Sequence, residues 1–366
     1  MPSLPDQASI DSYFEASRRA GWYSNFGPCV RAFESRASAE LLSDVPVVSA
    51  SNATIALALA LRAVFGSPRP GQRDAVVVPS FTFVASVAAI TWAGFRPVFV
   101  DIDADDWQVG QESLAEALAS GTGTIAGAML TTTFGTPGAA ARRSLLEALL
   151  TDQGVPFVVD AAAGLGTCPP SVAPGSATVY SLHATKPFAI GEGALIACPG
   201  PGNAERIRRL TNFGFGPDHE LDLDIGLNAK LPEILGATGL AVLDDFPDIL
   251  KRRRTNALDL VARLSGTGLI TQQGAAESSF QFVPVLCPGA ADRGRLLAAS
   301  AEARIELRTY FDPPMHRVPA MSPDAVRASL PVTDDVSSRV VALPMSNSFS
   351  AADADRIVEL CRSVLS

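Results

Sequence analysis

The chain has 366 residues, of which 47% are hydrophobic and 18% charged. This composition indicates a folded globular protein and excludes an intrinsically disordered one. Its formal net charge of -9 argues against nucleic acid as a partner, because an acidic surface repels the phosphate backbone. We see no secretory signal and no apolar stretch long enough to span a membrane, so we expect a cytoplasmic protein without membrane attachment. The length favours a large domain plus a smaller one. We place the large domain at 1–248 and the smaller one at 249–366, because a helix predicted from residue 249 would carry the chain out of the large domain.

Strand-like and helix-like segments alternate through the first part of the chain. The predicted strands are 47–49, 75–78, 97–101, 124–130 and 157–160, and the predicted helices are 53–64, 83–93, 112–119 and 142–150. The strands are continuously apolar, and helices separate them. This pattern is typical of a parallel sheet covered by helices on both faces.

Two further strands follow without a long helix between them. The remaining predicted elements are strands 178–181, 194–197, 280–283 and 340–343, and helices 204–210, 232–243, 249–264, 293–303 and 352–365. Pro247 is predicted to separate the two helices on either side of it. The last elements predict an α+β layer that forms the smaller domain.

The segment 181–193, SLHATKPFAIGEG, contains a single lysine in a small and apolar neighbourhood. Desolvation disfavours the ammonium form of a lysine, so it lowers the pKa and makes the amine nucleophilic. The turn Gly191–Gly193 allows the backbone to approach a flat ligand closely. Lys186 is therefore a candidate catalytic amine.

Asp160 ends a predicted buried strand and is followed by three alanines. A carboxylate at the carboxyl end of a parallel strand points into the ligand crevice of such sheets. Pyridoxal 5'-phosphate (PLP) needs such a group, because its pyridine nitrogen must stay protonated for the ring to act as an electron sink. Taken alone, Asp160 also fits a helix N-cap. Together with Lys186 it predicts a PLP site.

A phosphate group needs hydrogen-bond donors, and the sequence offers them at 51–54. This segment lies between a strand and a helix, so the helix start presents free N–H groups and the positive end of its dipole. Thr54 and Ser181 can add hydroxyl donors, and Phe83 can stack on a pyridine ring. Each feature also has an ordinary structural interpretation, as an N-cap or as part of the core.

Several motifs, in this order, resemble those of the DegT/DnrJ/EryC1/StrS aminotransferases, which are fold-type-I PLP enzymes. The matching segments are 21–34, VPSFTFVA at 78–85, 93–103, HATK…GEG at 183–193 and GLNAKL at 226–231. The resemblance covers nearly the whole chain. It implies an α/β fold, with a mainly parallel seven-stranded sheet between helices in the large domain and a smaller C-terminal α+β domain.

The resemblance assigns roles to individual residues. Lys186 matches the lysine that holds PLP as a Schiff base, Asp160 the partner of the pyridine nitrogen, and Phe83 the stacking aromatic. The residues that match phosphate binders are Ala53, Thr54 and Ser181. Asn228 matches an asparagine that reaches the cofactor phosphate of the neighbouring subunit, which implies a homodimer with shared active sites.

Two positions depart from the family pattern. Ala53 replaces a common glycine, which is tolerable if the local φ is negative because the backbone N–H remains. Ala163 stands where the family often has a glutamine or histidine that touches the phenolic oxygen of PLP. An alanine cannot donate there, so another group or a water must replace it. This departure puts reaction rate and substrate class in doubt more than cofactor binding.

The resemblance implies an aminotransferase that takes an amino group from an amino acid, glutamate or glutamine, and passes it to a keto-sugar that is most often nucleotide-linked. Lys186 is then both tether and proton shuttle in a ping-pong reaction with pyridoxamine 5'-phosphate as intermediate. A PLP-dependent or PMP-dependent sugar dehydratase is an alternative, although such relatives usually carry histidine at the lysine position. A second alternative is amination of a non-sugar ketone or aldehyde. A third alternative is a non-catalytic regulatory protein, which only Ala163 suggests.

Other ligand classes find little support. Gly191–Gly193 is a fragment of a dinucleotide-binding motif, but no helix opens there. Five scattered cysteines form no C-x-x-C pair, and three histidines lie far apart, so we predict free thiols and no metal site. His183, Tyr310 and His316 are candidates for lining the substrate entrance.

Overall fold

A computed structural model describes residues 4–121, 124–138, 140–216, 220–221, 226–321 and 329–365. Its main sheet has seven strands: β1 Val47–Ala50, β2 Ala75–Pro79, β3 Arg96–Val100, β4 Ile125–Thr131, β5 Phe157–Asp160, β6 Ser176–Ser181 and β7 Ala194–Ala197. Their order is β1-β7-β6-β5-β4-β2-β3. Only β7 runs opposite to the other six strands, so the predicted mainly parallel sheet is confirmed.

Helices cover both faces of this sheet. They are α1 Gln7–Ala20, α2 Pro28–Leu41, α3 Ala53–Phe65, α4 Val84–Trp92, α5 Gln111–Ser120, α6 Ala140–Asp152, α7 Pro201–Leu210 and α8 Glu233–Arg263. Successive residues along a strand point to opposite faces of the sheet and pack in different hydrophobic cores. Val76 and Val158 pack with α3, α4 and α7, whereas Val77 and Val159 pack with α2, α5, α6 and α8. Burial on both faces explains why these strands are continuously apolar.

The C-terminal part forms a second sheet with its own core. Its elements are β8 Ile270–Thr271, β9 Val283–Leu286, α9 Ala290–Glu302, α10 Pro331–Arg339, β10 Val340–Leu343 and α11 Ala351–Leu365. The antiparallel strands lie in the order β10-β9-β8. The end of α8 contributes Ala257 and Leu260 to this core. The predicted domain boundary at residue 248 therefore falls inside a continuous helix.

Two predicted elements are wrong in detail. The helices predicted on either side of Pro247 form one helix, α8. Pro247 projects to solvent while Phe246 is fully buried, and this packing holds both halves in one helix. The strand predicted at 280–283 begins only at Val283, because Phe280 has a φ of 50°, outside the extended region.

No helix in the described ranges combines the length and the apolar character that crossing a membrane requires.

Candidate active site

A cavity of about 660 Å³ opens at the carboxyl ends of the central parallel strands. Thr131 at the end of β4, Asp160 at the end of β5 and Ser181 at the end of β6 all line it. The first turn of α3 closes the same side. Parallel strands bring the side chains at their carboxyl ends to one edge of the sheet, where α/β proteins bind ligands.

Lys186 lies in the turn between β6 and β7 and reaches into this cavity. Its backbone N–H donates to the carbonyl of His183 at 2.8 Å, which fixes the turn. The Nζ atom donates to Oε1 of Gln281 at 2.9 Å. Burial lowers the pKa of Lys186 to about 8, although the charge of Asp160 acts in the opposite direction. The amine is therefore much closer to its neutral, nucleophilic form than an ordinary surface lysine.

Asp160 is buried, and two donors hold its carboxylate. Oδ2 accepts from Oγ of Ser86 at 2.6 Å, and Oδ1 accepts from the backbone N–H of Ala162 at 3.1 Å. Burial nevertheless raises the pKa of Asp160, against the effect of both hydrogen bonds and of Lys186. A buried carboxylate of this kind favours a cationic ligand atom, such as a protonated pyridine nitrogen.

The N-terminus of α3 forms a further part of the wall. Asn52 is the N-cap, and its Oδ1 accepts from the N–H of Ile55 at 3.0 Å. Ala53 and Thr54 follow in the first helical turn, at the positive end of the helix dipole, and both line the cavity. Ala53 has the helical, negative φ that an alanine needs in this position. A helix start and the hydroxyl of Ser181 together suit a phosphate group.

Phe83 lies at the mouth of the cavity. Its side chain is 49% exposed, and its ring meets Tyr310 edge to face with centroids 6.2 Å apart. The exposed half of this side chain leaves ring surface available to a flat ligand. Tyr310 comes from the C-terminal part of the chain, so both parts of the chain contribute residues to the cavity wall.

Ala163 lines the cavity, and its methyl group offers no hydrogen bond. Its carbonyl accepts from Oγ of Ser279 at 2.6 Å. Ser279 belongs to the irregular segment 278–282, which also brings Gln281 to Lys186. The C-terminal part of the chain thus covers the position where the family pattern has a longer side chain.

The other candidate residues separate into two groups. His183 and Tyr310 line the cavity. His316 does not line the cavity, because it is fully buried, with its Nδ1 2.6 Å from Oγ of Ser80. The neighbouring Met315 donates its backbone N–H to the carbonyl of Ser80, and this contact turns the segment inward. Asn228 is exposed and lies outside the lining of this cavity.

Sequence reasoning missed two residues that contact the central pair. Ser86 donates to Asp160, and Gln281 accepts from Lys186. Ser86 carries a weak signal, since it lies one helical turn beyond Phe83 in a stretch already assigned to the site. Gln281 carries none, because it is far from Lys186 in the chain and lay in a segment predicted to be a strand.

Across the part of the chain that the structure describes, no group of three or more His, Cys, Asp and Glu side chains is arranged to hold a metal ion. The five cysteines are free and buried.

A model of the DegT/DnrJ/EryC1/StrS aminotransferase family matches residues 6–362. The chain belongs to this family. Membership confirms the predicted fold and the predicted enzyme class, a PLP-dependent aminotransferase. The cavity fits that cofactor, since the Lys186 amine with its lowered pKa, the buried carboxylate of Asp160 and the start of α3 all line it.

Individual relatives match along most of their length. Protein Rv3402c of Mycobacterium tuberculosis is 34% identical over 98% of this chain and 87% of its own. The dTDP-4-amino-4,6-dideoxy-D-glucose transaminase of Shigella dysenteriae is 27% identical, over 99% of this chain and 97% of its own. The crystal structure of a putative PLP-dependent aminotransferase from Bacillus cereus ATCC 10987 superposes with a TM-score of 0.89 at 28% identity, covering 99% of this chain and 98% of that one.

Proposed function

We propose that this enzyme moves an amino group from glutamate or glutamine to a keto-sugar that is linked to a nucleotide. The observation that carries the proposal is one cavity that holds both the Lys186 amine, with its lowered pKa, and the buried carboxylate of Asp160. The Shigella relative, named as a transaminase of a dTDP-linked amino sugar, supports the choice of acceptor.

PLP, when bound, supplies an electron sink for the substrate carbon that loses a proton. Lys186 would hold the cofactor through Nζ, and after release by the amino donor the same amine would take the proton from the donor's α-carbon and return it. A pKa of about 8 suits both tasks, because the amine can lose and regain a proton near neutral pH. Asp160 would keep the ring nitrogen protonated.

Other residues of the cavity would hold the phosphate and the ring of the cofactor. The backbone N–H groups of Ala53 and Thr54 and the hydroxyl of Ser181 would hold the phosphate, and Phe83 would stack on the ring. Asn228 is exposed and away from this cavity, which fits a role at the phosphate bound by a second copy of the chain. We therefore infer a homodimer with shared active sites.

His183 and Tyr310 line the same cavity as the Lys186 amine, and we propose that they contact the acceptor. The acceptor and donor are soluble metabolites, and the cysteines are unpaired, so we place the reaction in the cytoplasm.

The test is a product assay. Purified enzyme loaded with PLP is incubated with glutamate or glutamine and a panel of nucleotide-linked keto-sugars, keto-cyclitols and simple aldehydes, and the products are weighed by mass spectrometry. Amination exchanges a carbonyl for an amine, whereas dehydration removes the mass of water. The proposal predicts the amination mass with a nucleotide-linked sugar. A dehydrated product, or amination confined to non-sugar carbonyls, would contradict it.

Two variants make that assay specific to the proposed amine. Lys186→Ala should lower turnover by about 10²–10⁴-fold or more, the usual contribution of a general acid-base group. Lys251→Ala is the matched control, because Lys251 is an exposed lysine on α8. Equal activity of both variants would exclude Lys186 from catalysis.

A further inference from the structure

We propose that Gln281 is a positioning residue, carried to the cavity by the irregular segment 278–282, whose amide oxygen fixes Nζ of Lys186. The inference deepens the proposed function and rests on it, since a fixed amine matters only if Lys186 does the chemistry. It also identifies a polar side chain on the wall of the cavity to which Ala163 contributes only a methyl group.

The contact is direct and shielded. Oε1 of Gln281 lies 2.9 Å from Nζ of Lys186, and the Gln281 side chain is buried. A second cavity, of about 630 Å³, adjoins the first, and both residues line both cavities. Gln281 therefore lies on the wall that separates the two cavities and contacts the candidate amine at that point.

The segment that carries Gln281 is anchored at several points. The guanidinium of Arg253, itself buried, donates to the carbonyls of Phe280 at 2.8 Å and Gln281 at 3.1 Å. On the other side, Ser279 donates to the carbonyl of Ala163 and Ser278 to that of Phe134. Because both sides are held, the amide is delivered to a defined place rather than left on a free loop.

The orientation of the amide is also determined. A lysine amine donates here, so Oε1 must face it, and Nε2 then faces Oγ1 of Thr185 at 3.4 Å. Thr185 continues the network to Nδ1 of His183, 2.9 Å away, which also accepts the Thr185 backbone N–H. An amide does not readily pass a proton along such a chain, so the network positions the amine and does not conduct protons.

The amide oxygen has a predictable effect on the proton of Lys186. A hydrogen bond to an acceptor favours the ammonium form, so Gln281 opposes the effect of burial. Asp160 opposes burial in the same direction through its charge. The other titratable groups that line this cavity are His183, Glu192 and Tyr310. The adjoining cavity, which Lys186 also lines, adds the charged side chains of Arg253, Arg304, Glu306, Arg308, Asp353 and Arg356. Holding Nζ in one place would let the amine take and return its proton at the same point of the substrate.

The lysine content of the chain gives this proposal a clean test. The sequence has three lysines, Lys186, Lys230 and Lys251, so protein labelled with carbon-13 at the lysine side-chain terminus gives three signals to titrate by NMR. The cofactor-free protein is compared with Gln281→Glu, Gln281→Met and the control Gln273→Met, an exposed glutamine of the same region. Lys186→Arg assigns its signal.

We expect Gln281→Glu to raise the pKa of Lys186 by about one unit or more, because a carboxylate replaces the amide at contact distance. Gln281→Met, which has no oxygen to accept, should lower it, and Gln273→Met should leave it unchanged. In the PLP-loaded enzyme, Gln281→Met should lower kcat roughly tenfold with little change in the KM of the amino donor, since positioning acts on the proton transfers.

An unchanged pKa of Lys186 in both Gln281 variants would overturn the proposal. If Gln281→Met fails to fold, as judged by its thermal unfolding, Gln281→Glu alone decides, because its new charge can pair with the amine. Failure of the proposed function is distinguishable: an enzyme that binds no PLP would refute the function, while the titration of the cofactor-free protein would still report whether Gln281 holds Lys186.

Discussion

Two walls of the same cavity are built in different ways. One wall consists of the strand ends at Thr131, Asp160 and Ser181 together with the start of α3. The other is the irregular segment 278–282, which carries Gln281 and Phe282 in from the C-terminal part of the chain. The first wall places its groups through regular elements, and the second places them through tertiary contacts alone. The comparison shows that local sequence patterns can identify the chemically reactive residues of a site, whereas they do not reveal the residues that tertiary contacts bring to it.

Among the residues of these two walls, the largest effect is expected on the strand-end wall, from Asp160→Asn. An amide cannot stabilise a protonated pyridine nitrogen as a carboxylate does, so the ring becomes a poorer electron sink. We expect kcat to fall by about 10²-fold or more while PLP still binds. Steady-state kinetics and the absorbance of bound cofactor measure both. The control is Asp152→Asn, an exposed carboxylate at the end of α6, and equal loss in both variants would refute the role of Asp160.

A smaller effect is expected from the hydroxyl that supports this carboxylate. Ser86→Ala removes the 2.6 Å hydrogen bond to Oδ2 of Asp160, leaving a buried acceptor unsatisfied. We expect the free energy of unfolding to fall by about 1–3 kcal/mol, measured by denaturant titration. Thr91→Val is the matched control on the same helix, because that hydroxyl bonds only a carbonyl of α4 among the described residues. If Thr91→Val loses as much stability as Ser86→Ala, the hydrogen bond from Ser86 to Asp160 contributes no more than an ordinary helix hydroxyl, and this prediction is wrong.

The smallest effect is expected from the matching hydroxyl on the second wall. Ser279→Ala removes a hydrogen bond to the neutral carbonyl of Ala163, so the free energy of unfolding should fall by about 0.5–1.5 kcal/mol. Ser265→Ala, an exposed serine after α8, is the control. If Ser279→Ala costs more stability than Ser86→Ala, the segment 278–282 is the more critical wall and the expected order of the two effects is wrong.

These differences explain how far the sequence predicts the structure. The strands could be predicted because burial on both faces makes them continuously apolar, and that placed Asp160 at a strand end. The turn around Lys186 was found because its small neighbours stand out in composition. Both signals are local, so neither requires knowledge of what packs against the segment.

The errors concern residues whose positions depend on distant partners. Phe280 has a positive φ that its apolar pattern does not reveal, so the segment carrying Gln281 was predicted to be a strand. His316 was expected at the entrance beside Tyr310 but turns inward to Ser80. Pro247 was expected to end a helix that packing of Phe246 continues. In each case a tertiary contact decides between locally acceptable alternatives.

The most direct test of the central claim is to locate the cofactor on the chain. Enzyme incubated with PLP is reduced with borohydride, digested and analysed by mass spectrometry, and the three lysines of the sequence leave few possible sites of attachment. The account predicts the added phosphopyridoxyl mass on the peptide that contains Lys186 and on neither of the peptides with Lys230 and Lys251. Label on another lysine, or no label with the fold intact, would contradict it.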